Sequence, residues 1–193
     1  MVGPYLSVFH GVANDQQRIE FLDERMNELA LYPGNPRENL PATNDLVNYM
    51  LSNVKPYDYR GELNAIWNWA SAHMRYTSDP TAYRRACDNC PKEEVDQYRG
   101  VHVIYSNILK DKVAVGDCDD FATLFGGLFM AAGWRVRIKV IASSPDETYN
   151  HVYIEVQAPN SDHWIPIDAT VPRHGPGDEV HSYKRPILHQ VSI

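Results

Sequence analysis

Gly116-Asp117-Cys118-Asp119-Asp120-Phe121-Ala122 marks the change from loop to helix on which the reading of this chain turns. A helix from Cys118 to Ala132 follows, with Asp117 in the N-cap position, Asp119 and Asp120 in the first turn, and Gly133 as the C′ stop. Gly126-Gly127 inside it costs about 1 kcal/mol per glycine relative to alanine. Such a pair is tolerated where another element packs close to the backbone, so this helix is expected to be buried. Its first residue carries a thiol, and a helix N-terminus favours the thiolate because backbone N–H groups and the helix dipole stabilise negative charge there. The flanking aspartates oppose the same ionisation, so a nearby cation or base is needed to restore it.

Downstream, three period-two runs predict strands. Trp134, Val136, Ile138 and Val140 alternate with Arg135, Arg137 and Lys139, and the three cations are read as a solvated face. Val152, Ile154 and Val156 alternate with His151, Tyr153, Glu155 and Gln157. Ile165 and Ile167 alternate with Trp164, Pro166 and Asp168. Pro159-Asn160-Ser161-Asp162 joins the last two runs as a hairpin. Matching the apolar faces pairs Val152 with Ile167 and Ile154 with Ile165, which sets His151 opposite Asp168. Opposed Cβ atoms lie about 4.5–5.5 Å apart, within reach of an imidazole–carboxylate bond. Thiol, imidazole and carboxylate then have the chemistry of nucleophile (Cys118), proton carrier (His151) and orienting group (Asp168).

Upstream, Asp15 to Leu31 reads as an amphipathic helix with Ile19, Leu22, Met26, Leu29 and Ala30 on one side. It stops at Pro33-Gly34, and Asn35 to Ala42 reads as a connector. Thr43 is placed to cap a second helix carrying Leu46, Val47, Met50 and Leu51. A third helix, Gly61 to His73, presents Leu63, Ile66, Trp67 and Ala70. Thr81 to Gly100 has no clean period, and Val101 to Val115 suits helix or strand equally. The fold class is α+β, helices first and an antiparallel sheet after.

The chain has 193 residues, 44% of them apolar and 22% charged, which fits a globular domain. A net charge of −7 argues against nucleic acid as a partner. Met1 to His10 lacks a basic segment followed by an apolar core, and no apolar run approaches the roughly 20 residues of a membrane span. Three cysteines do not suggest a disulfide scaffold, so a reducing cytoplasm, or a particle assembled in one, is the expected setting. Cys87-Asp88-Asn89-Cys90 lacks a second ligand pair and reads as a surface loop. Asp117, Asp119 and Asp120 lack the spacing of a calcium loop, so neither metal nor cofactor is expected. His163, His174, His181 and His189 read as exposed.

Three blocks carry a resemblance: Gly116 to Asp120, Tyr149 to Val156, and Trp164 to Thr170. In that order and spacing they resemble the signature of the transglutaminase-like superfamily, with Trp67-Asn68-Trp69 through Asp79 similar to its preceding helix and turn. The resemblance covers roughly Gly61 to Val171 and is nearest the compact bacterial or bacteriophage members. It implies a papain-related core with Cys118, His151 and Asp168 as the triad. It divides the chain into an N-terminal helical extension (1–60), a catalytic core (61–171) and a Pro-rich tail (172–193). An oxyanion hole needs two donors. The Cys118 N–H is the natural first, Tyr105 and Asn107 are candidates for the second, and Trp164 is a candidate for the cleft wall.

The resemblance leaves three functions open. The first is a cysteine-dependent amide-bond hydrolase or acyl transferase acting on a peptide or protein. The second is an amine-accepting cross-linking transglutaminase. The third is a structural or assembly protein, such as a phage virion component, whose two flanking segments serve as docking arms.

Overall fold

The computed structural model describes residues 6–9, 14–77, 96–99, 101–145 and 149–192. Its helices are α1 (Asp15–Ala30), α2 (Thr43–Leu51), α3 (Tyr59–His73), α4 (Val101–Asp111) and α5 (Cys118–Ala131). Its strands are β1 (Leu6–Phe9), β2 (Met74–Tyr76), β3 (Asp96–Arg99), β4 (Ala114–Gly116), β5 (Arg135–Ile141), β6 (His151–Gln157), β7 (Ile165–Ile167) and β8 (Ile187–Gln190). β1 pairs antiparallel with β3, and β2 pairs parallel with β4. The remaining four make one antiparallel sheet in the order β7-β6-β5-β8. Helices followed by an antiparallel sheet is the α+β order expected. The cysteine pair at 87 and 90 lies outside the described residues.

α5 is the centre of the core. From Asp119 to Met130 every residue is buried, which is what the double glycine predicted. α1 supplies the close neighbour. A Cβ on Gly126 would sit 2.5 Å from Met26 Sδ, and one on Gly127 would sit 2.5 Å from Leu29 Cβ. On the other side α5 meets Val136, Ile138, Val152, Ile154 and Val156 of the sheet within the same hydrophobic cluster. α1 begins with a capping box formed by Asn14 and Gln17, and its buried stripe is Ile19, Leu22, Met26, Leu29 and Ala30. That stripe faces the core, although α1 lies within the span delimited as an extension.

Thr43 is not a cap. It is the first helical residue of α2, and its hydroxyl turns inward to the Leu29 carbonyl (2.5 Å) and the Tyr105 hydroxyl (2.8 Å). The ambiguous Val101–Val115 stretch is helix and then a short strand, α4 and β4.

The hairpin register differs from the expected one by two residues. Ile154 pairs with Ile167 and Val156 with Ile165. Asn160, at φ 61°, takes a left-handed conformation in a turn closed by Ser161 N–H to the Ala158 carbonyl at 3.2 Å, and the reversal moves along by one position. Matching apolar faces constrains the parity of a register, and a shift of two keeps every side chain on its side.

The C-terminal segment is more than the Pro-rich tail expected. It returns as β8 on the free edge of β5, pairing Arg137 with Gln190 and Val140 with Ile187. His189, expected to be an exposed spectator, bonds Asp23 of α1 at 2.6 Å. Before β8 the chain crosses the second face of the sheet, with Gly177 N–H on the Pro166 carbonyl and Tyr183 N–H on the Ala142 carbonyl, both at 2.9 Å. The alternating cations are therefore not a solvated face. Arg137 and Lys139 both pair with Glu155, which is 5% exposed, and Lys139 also reaches Glu179 of the returning segment at 2.6 Å.

Candidate active site

β2 and β4 set where α5 begins. Tyr76 pairs with Gly116, and Thr77 N–H donates to the Gly116 carbonyl at 2.8 Å. Gly116 has no room for a side chain, since a Cβ there would lie 2.5 Å from the Asp120 Cβ. Asp117 is extended (φ −103°, ψ −157°) and occupies the N-cap position, but its side chain makes no capping bond. The first helical bond runs from Phe121 N–H to the Asp117 carbonyl at 3.1 Å. The Cys118 N–H therefore lies outside the helical ladder, at the positive end of the dipole. Its thiol is not in a disulfide and is half-buried.

Topology sets this helix start at the end of the layer where His151 stands. Gly133, at φ 82°, ends α5 and reverses the chain, with Trp134 N–H on the Phe129 carbonyl at 3.0 Å. α5 has 14 residues and β5 has 7, and at about 1.5 and 3.3 Å per residue each spans about 20 Å. The end of β5 is then level with the start of α5. β6 runs back from that end, its His151 paired with Ile141. Cys118 and His151 lie at the same end of the helix–sheet layer.

His151 Nε2 is 2.8 Å from Asp168 Oδ2. By the observed register Asp168 is level with Tyr153, so the contact is a diagonal pair across β6 and β7 rather than the directly opposed pair expected. Asp168 is 1% exposed. Thr170 donates to its other oxygen through both hydroxyl (2.6 Å) and backbone N–H (3.2 Å). Burial works against the carboxylate, but the His151 bond and charge and the two Thr170 bonds outweigh it and hold Asp168 below the usual carboxylate range. An ionised Asp168 accepts a hydrogen bond from Nε2–H, which leaves Nδ1 as the basic nitrogen.

Two further residues frame this pair, and sequence reading gave neither of them a role. Asn150 ties down the turn before His151 by accepting Ser143 N–H at 2.8 Å and donating to the Ser143 hydroxyl at 2.9 Å. Tyr153 sets its ring 5.7 Å from the His151 ring. Asn–Ser ties of this kind leave no periodic signal, whereas Tyr153 stood in plain alternation with His151.

The aspartates around Cys118 behave unequally. Asp119 is 5% exposed and neither of its oxygens has a hydrogen-bond donor. Burial first, and then the Asp117 carboxylate beside it, push its carboxyl well above the ordinary range. Carboxylate oxygens of Asp117, Asp119 and Asp120 lie within 4.8 Å of one another, close enough to hold a cation between them.

Tyr105, Asn107 and Trp164 stand in different surroundings. Tyr105 is a core residue rather than an oxyanion donor. It is 2% exposed, its hydroxyl is bonded to Thr43, its ring is edge-on to Tyr32 at 5.8 Å, and burial raises its pKa to about 12. Asn107 is half-buried on α4. Trp164 lies under the Arg137 guanidinium at 4.3 Å, one residue before β7 and level with Gln157. That is six residues along β6 from His151, about 20 Å, so Trp164 does not wall this site.

No helix among the described residues is long and apolar enough to cross a membrane. Residues 45–169 match the model of the transglutaminase-like superfamily, more than half of the chain. No curated protein matches the chain.

Proposed function

The chain belongs to the transglutaminase-like superfamily, and we propose on that premise that it breaks amide bonds through an acyl-thioester on Cys118. The observation that carries the reading is the 2.8 Å His151–Asp168 bond at the end of the layer where the Cys118 helix begins. His151 Nδ1 takes the thiol proton, and the thiolate adds to the substrate carbonyl carbon. The oxyanion that forms is met by the Cys118 N–H at the helix N-terminus. As the carbon–nitrogen bond breaks, His151 returns the proton to the leaving amine, and the acyl group stays on sulfur. Water then adds with His151 as base to release an acid, or an amine adds to give a new amide. Asp168 keeps the imidazole in the required tautomer and stabilises it when protonated.

Of the two segments suggested as docking arms, the first packs the apolar stripe of α1 onto α5, and the second pairs with the sheet through β8. The test is an unfractionated peptide digest incubated with the protein, with and without a labelled primary amine. Mass spectrometry should detect cleaved or deamidated peptides, or amine-bearing ones, and an acyl adduct on Cys118. Cys118→Ala and His151→Ala should each reduce product by at least about 10³-fold. Product formation that survives Cys118→Ala would refute the mechanism.

A further inference from the structure

The proposed chemistry uses the second face of β6 only at its first residue. The rest of that face carries a polar chain that takes part in no step. Tyr153 is 2% exposed, its ring inclined 34° to the His151 ring at 5.7 Å. Its hydroxyl donates to Glu179 at 2.7 Å, and Glu179 also accepts from Lys139 at 2.6 Å. Lys139 in turn donates to Glu155 at 3.0 Å. Glu179 lies beyond residue 169, outside the span that matches the family. The segment bearing it is pinned on both sides, at Gly177 to Pro166 and at Tyr183 to Ala142.

An imidazole has to be held in two respects. A bond from Nε2 to a carboxylate fixes the direction of the ring within its plane. The plane itself is fixed by what the ring lies against. Tyr153 sets its ring beside that of His151, and a phenol ring swings about its Cα–Cβ bond unless its far end is tied. The Glu179 carboxylate makes that tie, and a charged acceptor makes it a strong one. Burial, followed by the Glu179 bond and charge, raises the Tyr153 pKa, so the phenol remains a proton donor at neutral pH. Burial works against the Glu179 carboxylate, but Lys139 and the Tyr153 bond outweigh it and lower its pKa, so it remains an acceptor.

We propose that Glu179 is a positioning residue for His151, acting through Tyr153, and that the C-terminal segment is thereby part of the catalytic unit. The proposal rests on the reading of His151 as the base that activates Cys118. The full-length chain tests it in four forms: Glu179→Ala, Glu179→Gln, Tyr153→Phe, and Glu179→Ala with Tyr153→Phe. Two quantities are read, the rate of Cys118 alkylation by iodoacetamide and the NMR signals of the His151 ring.

Glu179→Ala and Tyr153→Phe should each slow alkylation about 5–10-fold, and the double variant should be no slower than either single one, because all three remove the same tie. Glu179→Gln should stay within about 2-fold of the parent, since an amide oxygen still accepts the phenol proton. The His151 ring-proton shifts should move in the same sense in Glu179→Ala and Tyr153→Phe. Alkylation and ring shifts both unchanged in Glu179→Ala would overturn the proposal, as would additive effects in the double variant. If Glu179→Ala fails to fold, Tyr153→Phe and Glu179→Gln decide it. His151→Ala is the control. Should it leave Cys118 alkylation unaltered, the triad reading fails, and the ring shifts alone then settle whether Glu179 orients His151.

Discussion

Gly126 and Gly127 are neighbours in one buried helix, yet replacing them with alanine should have opposite consequences. Alanine is favoured over glycine in a helix by about 1 kcal/mol, and both substitutions gain that. They differ in what the new methyl group meets. At Gly126 it meets the Met26 thioether, the far end of an unbranched side chain, with Sδ at 2.5 Å and Cγ at 2.9 Å. A change of rotamer can clear it, so Gly126→Ala should fall within about 0.5 kcal/mol of the parent or slightly above it. At Gly127 it meets the Leu29 Cβ at 2.5 Å and Cγ at 2.6 Å. A Cβ moves only with its backbone, so α1 must retreat by about 1 Å to reach ordinary contact distance. Overpacking of that kind costs about 1–3 kcal/mol against the helix gain of about 1, so Gly127→Ala should be less stable than the parent by up to about 2 kcal/mol. Urea unfolding followed by tryptophan fluorescence measures both variants in one series. A Gly127→Ala variant as stable as Gly126→Ala would refute the claim that α1 is seated directly on the α5 backbone.

Three other outcomes follow from buried polar groups. Thr43→Val should cost about 2–3 kcal/mol in urea unfolding while Thr43→Ser costs little, because valine strands both the Leu29 carbonyl and the Tyr105 hydroxyl. Asp168 has a lowered folded-state pKa, so its contribution is complete above the unfolded value of about 3.9 and is lost as pH falls through the folded one. Asp168→Asn should therefore destabilise at pH 7, with the difference from the parent shrinking below about pH 4 in a series of urea midpoints. Asp119 has a raised folded-state pKa, so ionisation above the unfolded value of about 3.9 works against folding. Asp119→Asn in chelator-containing buffer should raise the urea midpoint at pH 7 and leave it unaltered near pH 3.

Much of this fold is legible in its apolar periods. The stripe of α1, the span of α5 and the alternation of β5, β6 and β7 are all local patterns, and each element stands where its period sets it. What period cannot supply is the identity of the partner. Arg137 and Lys139 alternate as a solvated face would, and period two does not distinguish water from a segment that returns some forty residues later to cover them. The short edge strand β8 is half-exposed and carries a histidine and a glutamine, too little pattern to separate from a polar tail. Face matching gave the correct side for His151 and Asp168 and a register off by two, and the bond forms because a diagonal neighbour is also within reach. Tyr105 was proposed for its place before the nucleophile. A tyrosine on an amphipathic helix looks the same whether its hydroxyl meets substrate or a buried threonine.

The proposed chemistry depends on Cys118 being activated by the His151–Asp168 pair. Timed alkylation of the native protein with iodoacetamide, followed by peptide mapping, measures this without a substrate. Cys118 should be modified at least about tenfold faster than Cys87 or Cys90, and His151→Ala should abolish that advantage. Equal labelling of the three cysteines, or a Cys118 rate indifferent to His151, would contradict it.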